Sequence, residues 1–343
     1  MDILNTNTTS ETLNVEADAC LMFKRYKAAA GKLQNLKKWM TYLPDKTPLI
    51  KISLPGTHDA GTFTMSDWNP LSGLWKTQHL DFRKQMDKGA RFFDIRGVEN
   101  CSRNSIDIYH WAWRVDVDLS AFISDAKDFL KAHPDETIIM SLKRENPYSV
   151  DPDIFMDIFK NVYYDASESI FLKTGGNITL GEARGKIVLF RRFEGESILG
   201  GYNVFDWPDN SSFTTRISVP GQDLEVSVQD VYKSISRDVK SDKIIELLQN
   251  ANNNFTENRH LYLNFTSLSS YSGTIPLYWW DSSTPYGNAQ KINPKIANFI
   301  REHDLKRTGW VIMDYLGWDW SPDLAYEIIM TNVNLLINDS ACS

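Results

Sequence analysis

Cysteine is scarce in this chain. Only Cys20, Cys101 and Cys342 occur in 343 residues, with no CxxC spacing. An odd, scattered set excludes a disulfide framework and a thiolate zinc site. Positive charge is also short, at 37 Lys+Arg against 44 Asp+Glu, a net charge of −7. That balance argues against general electrostatic binding of nucleic acid and against polybasic docking on anionic lipid. No apolar run approaches the roughly 20 residues needed to span a bilayer. The first twenty residues lack the basic and apolar regions of a signal peptide. What is present is an ordinary globular balance, 42% hydrophobic and 24% charged. A chain of this length buries enough surface to fold without metal or disulfides.

The polar start, rich in Asn, Thr and Glu, reads as a tail over residues 1–30. From 31 to 343 one domain is expected, opening with a helical pattern over Leu33–Leu43. Short apolar runs then alternate with helical ones. Strands are predicted at Ile50–Leu54, Ala90–Ile95, Ile106–His110, Thr137–Leu142, Lys186–Phe190, Glu225–Val228, His260–Phe265 and Gly309–Met313. Their continuous apolar character suits strands buried on both faces of a parallel sheet. Helices are predicted at Leu119–Ala132, Asp153–Tyr163, Lys240–Asn250, Pro294–Glu302 and Pro322–Leu336. Leu119, Phe122, Ile123, Ala126, Phe129 and Leu130 form a clear helical stripe. Eight strands with interleaved helices point to one α/β domain, a distorted (β/α)8 TIM-type barrel. Phe63–Thr77 and Gly195–Gly221 fit no period and read as long loops.

In such a barrel the active site lies at the C-terminal strand ends. Those ends carry His58 and Asp59, Asp94 and Arg96, His110, Lys143 and Glu145, Arg192, Asp230 and Tyr232, and Asp314. Each has a bland explanation on its own. A lone histidine in PGTHDAG or YHWAW is more often structural, and Arg96 is a ready partner for Asp94. Together, two histidines, several carboxylates and several cations on one rim form the titratable cluster of a catalytic pocket. Two histidines flanking a fixed guanidinium suit in-line phosphodiester cleavage. One takes a proton from the attacking hydroxyl and the other gives one to the leaving oxygen. Each needs a carboxylate to set its tautomer, and the guanidinium offsets phosphoryl charge. His79, His133, His260 and His303 are assigned no role.

The segments ISLPGTHDAGTF, DFRKQMDKGARFFDIRG, DETIIMSLKRE, GNITLGEARGKIVLFRRF, LYLNFTSLSS and GWVIMDY resemble the bacterial, secreted phosphatidylinositol-specific phospholipases C. The resemblance runs from about Leu33 to Ile337. It implies cleavage of phosphatidylinositol, without metal or other cofactor, to diacylglycerol and inositol 1,2-cyclic phosphate. It also implies action on glycosylphosphatidylinositol anchors. His58 is similar to the family's general base and His110 to its general acid. Asp314 then supports His58, Asp59 pairs with His110, and Arg96 binds phosphate beside Asp94. Lys143, Glu145, Arg192 and Asp230 resemble the inositol-binding set, and Tyr232 the aromatic on which the ring stacks.

Three stretches depart from the family pattern: YHWAWRVD after the general acid, residues 1–30, and Pro276–Gln290. The resemblance implies secretion. The polar start leaves cytoplasmic and peripheral-membrane locations open beside it. The expected partner is phosphatidylinositol in a membrane surface, met by a monomer with loop tryptophans Trp75, Trp279 and Trp280. Competing readings are a metal-dependent glycerophosphodiesterase-like barrel and a catalytically silent inositol-phospholipid binder. Arg96 and Lys143 stand where the first would want acidic ligands, and both histidines disfavour the second.

Overall fold

The computed structural model describes residues 24, 26–66, 74–145, 151–166, 169–194, 199–204, 206–218, 223–269 and 283–339. Eleven strands are assigned: β1 (Leu54–Thr57), β2 (Phe92–Asn100), β3 (Ser105–His110), β4 (Trp113–Asp118), β5 (Ile138–Arg144), β6 (Ile187–Arg192), β7 (Tyr202–Asn203), β8 (Ser212–Ile217), β9 (Leu224–Gln229), β10 (His260–Phe265) and β11 (Trp310–Met313). They form one sheet, nine of them ordered β7-β6-β5-β2-β1-β11-β10-β9-β8, with β3 joined to β2 and β4 to β3 off this path. Every neighbour from β7 through β9 is parallel, while β8 lies antiparallel on β9. The expected TIM-type barrel is therefore present. It is left open between β7 and β8, which do not pair among the described residues.

Alternation along the strands divides the core in two. On β2, Phe93 and Ile95 join Met140, Leu142 and Leu189 in an outer layer against the helices, where Phe122, Phe129 and Ile296 meet them. Phe92 faces the other way and packs with Ile139, Val188, Phe190, Trp310 and Ile312, filling the barrel. The helix Leu119–Ala132 forms where its stripe predicted. Asp118 caps it by accepting from the Ala121 amide, and Leu119, Phe122, Ala126, Phe129 and Leu130 are buried.

Several predicted elements are corrected. The first strand is Leu54–Thr57, because Leu49–Lys51 is a 3-10 turn. Pro55-Gly56 reads as a turn in sequence, yet it lies in the barrel wall. There a side chain at position 56 would sit 2.8 Å from the Phe92 backbone oxygen, so only glycine fits. Ile106–His110 is a strand but not a barrel stave: it folds back antiparallel on β2 and pairs with β4. The eighth parallel strand is instead two-residue β7, inside the predicted loop Gly195–Gly221, which also holds β8. Gly201 makes β7 possible, since a Cβ there would meet the Leu189 oxygen at 2.0 Å. Part of Phe63–Thr77 is a 3-10 turn, Ala60–Thr64. The helix expected from Pro294 begins earlier, at Pro285, and keeps Pro294 inside it. The last predicted helix is two, Leu324–Met330 and Val333–Asp339. Residues 26–33 are helical.

Candidate active site

Three adjacent strands supply the floor of the site. Beyond the apolar interior each turns polar on its inner face: Phe92-Asp94-Arg96, Ile139-Ser141-Lys143 and Val188-Phe190-Arg192. The parallel registers bring Arg96, Lys143 and Arg192 side by side. On the opposite flank Thr57 pairs with Met313, so the next residues, His58 and Asp314, emerge together. His58 Nδ1 lies 2.7 Å from Asp314 Oδ1. A carboxylate accepts only, so Nδ1 carries the proton and Nε2 presents its lone pair. The backbone at His58 is also held, because Thr77 and Gln78 both donate to its carbonyl. The Asn293 amide donates to the Asp314 carbonyl at 2.9 Å, a contact supplied by the early turns of the extended helix.

Arg96 is the hub. Its Nη2 lies 2.9 Å from His58 Nε2, and its Nε donates to Asp94 at 3.1 Å. Asp59 lies 2.9 Å from Arg96 Nε, and Glu145 3.7 Å from Nη1. Burial disfavours this charge, but Asp59, Asp94 and Glu145 outweigh it and raise the guanidinium well above its ordinary value. Asp94 also meets Arg192 at 3.5 Å, and Glu145 meets Lys143 at 2.8 Å.

Asp59 joins the two histidines. Its backbone is left-handed (φ 43°), and its Oδ2 lies 3.1 Å from His58 Nε2 and 3.3 Å from His110 Nε2. These approaches are at ion-pair distance without hydrogen-bond alignment, which leaves acceptor capacity in the site. Burial pushes Asp59 up, yet Arg96, His110 and His58 hold it at about 2. His110 Nδ1 donates to the Trp75 carbonyl at 2.7 Å, so its Nε2 faces Asp59. The histidine rings stand 6.4 Å apart. They are tuned in opposite directions. Burial lowers both, but Asp59 and Asp314 raise His58 overall, whereas Asp59 and the Trp75 carbonyl do not offset burial, Arg96 and His58 at His110.

These groups line a cavity of about 670 Å³ together with Arg192, Asp230 and Tyr232. The structure thus brings together His58, Arg96, His110, Lys143, Glu145, Arg192, Asp230, Tyr232 and Asp314, with Asp59 and Asp94 behind them. Trp75 lines the same wall, edge-on to His110 at 5.8 Å. Trp279 and Trp280 lie outside the described residues. Sequence reasoning missed Trp207, Asp209, Lys233 and Trp111, which also line the cavity. Trp207 donates to Asp230 at 3.0 Å and lies under Arg192, 3.6 Å from guanidinium to ring centre. Asp209 accepts from Tyr232 and Lys233. The one signal is Trp207-Pro208-Asp209, an aromatic between the acidic residues Asp206 and Asp209.

Below the rim the helix Arg237–Asn253 buries Lys240, whose ammonium donates to Gln229 Oε1 and to the Val231 carbonyl at 2.7 Å. Burial pushes this lysine down to about 7.

Residues 53–193 match the family described as phosphatidylinositol-specific phospholipase C, X domain. The 1-phosphatidylinositol phosphodiesterase of Staphylococcus aureus (strain Newman) is 37% identical over 309 residues, spanning 86% of this chain and 94% of the relative. The chain belongs to this family. A solved structure of the S. aureus phosphatidylinositol-specific phospholipase C superposes with a TM-score of 0.78 at 36% identity, covering 87% of this chain and 98% of that one. The enzyme of Listeria monocytogenes superposes at 0.64 with 25% identity, covering 88% and 99%. This member of the phosphatidylinositol-specific phospholipase C family is accordingly an enzyme with a TIM-type barrel. Among the described residues no helix is long and apolar enough to cross a membrane.

Proposed function

We propose that the protein cleaves phosphatidylinositol in a membrane surface to diacylglycerol and inositol 1,2-cyclic phosphate, with His58 as general base and His110 as general acid. The observation that carries this is the linked set Asp314–His58, Asp59 and His110 around Arg96. His58 Nε2 takes the proton of the inositol 2-hydroxyl as that oxygen bonds to phosphorus. The phosphorus–oxygen bond to diacylglycerol breaks, and His110 Nε2–H protonates the departing oxygen. Asp314 fixes the His58 tautomer and stabilises the imidazolium that forms. Arg96 exchanges its contact with His58 for the phosphoryl oxygens, where a guanidinium gives forked, charge-assisted hydrogen bonds. Lys143, Glu145, Arg192 and Asp230 supply donors and acceptors for the inositol hydroxyls, and Tyr232 a face for the ring. A glycosylphosphatidylinositol anchor presents the same phosphoinositol group and is read as a second substrate.

The same geometry favours a reaction without metal. His58, Asp59 and Asp94 are the one set of three ligand-type residues among those described whose donor atoms lie within 4.8 Å of one another. Arg96 is within 3.1 Å of all three. A permanent cation in contact with all three residues competes with a divalent ion and can supply the charge stabilisation that ion would give. Phosphorus NMR of the protein with phosphatidylinositol vesicles and excess chelator tests both points. A cyclic phosphate resonance should appear at an undiminished rate. Activity abolished by chelator and restored by calcium would overturn the arginine-for-metal reading, and no phosphorus turnover at all would overturn the function.

A further inference from the structure

The pairing of β1 with β11 ends at Thr57 and Met313, and the His58–Asp314 pair lies one residue beyond it. The last rung runs from the His58 amide to the Met313 carbonyl at 3.1 Å. There the two chains turn sharply. His58 leads into a left-handed residue, Asp59 (φ 43°), and Asp314 into another, Tyr315 (φ 51°). Such backbone is uncommon for a residue with a side chain, and for a tyrosine it persists only where neighbours hold it. The distance between two strand ends that both turn here needs a further tie.

Gln78 spans them. It is fully buried and stands behind the cavity lining, which takes Thr77 but not Gln78. Its Nε2 donates to the Met313 carbonyl at 2.8 Å and to the His58 carbonyl at 3.1 Å. Its Oε1 accepts from the Leu316 amide at 3.2 Å. Two carbonyls that only accept, and an amide that only donates, fix which way this side chain faces. Thr77 adds to the strap. Its carbonyl accepts from the Tyr315 amide at 2.7 Å, and its hydroxyl donates to the His58 carbonyl at 2.9 Å. The Thr77 and Gln78 amides both donate to the Thr62 hydroxyl, which anchors the strap to the turn after Asp59. Asp314 is thus held through Met313 before it and through Tyr315 and Leu316 after it. All three contacts lead to one segment that also grips His58, and a fully satisfied buried network of this kind is rigid.

We propose that Gln78 is a positioning residue, whose single amide ties the ends of β1 and β11 together and so sets the 2.7 Å contact between His58 and Asp314. Its effect on turnover rests on the proposed function, but the tie itself is read in the free protein by proton NMR. His58 Nδ1–H on a carboxylate and His110 Nδ1–H on a carbonyl, each at 2.7 Å, should both give downfield resonances, told apart by His58→Ala. In Gln78→Leu the His58 resonance should be lost or move upfield while that of His110 stays. The kcat on phosphatidylinositol should fall about 10- to 100-fold, the scale of a small misplacement of a reacting group, with KM within about twofold. Gln78→Glu is nearly isosteric but offers at most one donor, so it leaves a carbonyl untied. It should show the same losses, and it serves if the leucine variant does not fold. Gln85→Leu is the structural comparison, a fully buried glutamine whose amide donates to the Ala60 and Leu80 carbonyls and misses both strand ends. That variant should melt at a lower temperature yet keep the His58 resonance, and its kcat should stay within about twofold. A wild type without a His58 resonance, or one that survives unchanged in Gln78→Leu, would overturn the positioning role. Loss of both resonances together, or of the His58 resonance in Gln85→Leu as well, would make the effect a general loosening and overturn it too. So would unchanged kcat in Gln78→Leu, or failure of both Gln78 variants to fold. A wild type whose His58 resonance depends on Gln78 but which turns over no inositol lipid would instead remove the proposed function and leave the tie standing.

Discussion

Strand β2 has one arginine just before its start and another midway along it, and the two are built for different work. Arg91, just before the strand, is fully enclosed. It donates to Glu136 at 2.9 and 2.7 Å and to the carbonyls of Met86, Ala90, Leu36 and Lys37. Burial lowers Arg91 and raises Glu136, so both are pushed toward neutrality. Arg96, midway along the strand where its pairing with β5 runs out, is surrounded by carboxylates that push it the opposite way, and one of its donors rests on the nitrogen of His58. A satisfied network rigidifies, whereas an arginine whose partners keep spare capacity is ready for a ligand. The comparison is the barrel's division of labour in miniature: stability at the N-terminal face, reaction at the C-terminal one.

The division can be broken from either end. The largest effect is expected at Arg96. Arg96→Lys keeps the charge but loses the fork, and turnover should fall by about 10²–10³-fold, the scale of losing a transition-state donor. The melting temperature should barely move. His58→Ala and His110→Ala should each cost at least about 10²-fold, with the double variant little worse than either, because both act in one step. A single variant of near-normal rate would remove that histidine from the mechanism. Arg91→Met should reverse the pattern. Leaving Glu136 buried and unpaired costs about 3–5 kcal/mol of stability on denaturant unfolding. Activity per folded molecule should be kept, and pairing the change with Glu136→Gln should return part of the loss.

A smaller effect sharpens the contrast through pH. The proposed reaction needs His58 neutral and His110 protonated. In the free protein His58 is raised, so it becomes neutral only at higher pH, and His110 is lowered, so it is protonated only at lower pH. The competent pair is thus a minority at every pH, and kcat/KM should trace a low bell whose apparent values belong to the pair. A bound phosphodiester anion favours protonated His110. Because His110 is the lower of the pair, the acid limb of kcat should therefore lie at higher pH than that of kcat/KM. Coincident acid limbs in the two profiles would show that the anion does not act on His110.

The inner face of the barrel was largely legible. Strict alternation behind an apolar run puts Asp94 and Arg96 on one face without knowledge of the neighbours, and strand ends place Lys143, Arg192 and Asp314. Where the reading failed, the determining contact was distant. Pro55-Gly56 makes a turn or a stave depending on how closely Phe92 approaches. Ile106–His110 has strand chemistry in either direction, and only its pairing with β2 reveals that it runs backward. Pro294 normally starts a helix, but Thr284 had already capped one ten residues earlier. The Trp207–Asp209 corner lies in a segment with no period at all. It belongs to the site because Asp230 and Arg192 meet it there.

The lysine beneath the rim gives the fold a dependence on protons separate from the reaction. An unfolded lysine holds its proton up to about 10.4, whereas Lys240 in the native protein gives it up near 7. Between these values the unfolded chain binds the extra proton, so native stability from this group rises with pH by about 1.4 kcal/mol per unit. It is fully present above the upper value, and it is lost as pH falls toward 7. Lys240→Met should flatten that alkaline rise. If the variant's unfolding free energy climbs with pH as steeply as the wild type's, the ammonium is not carrying the slope. Through this group alone, the barrel gains stability from neutral to alkaline solution by a residue outside the cavity lining.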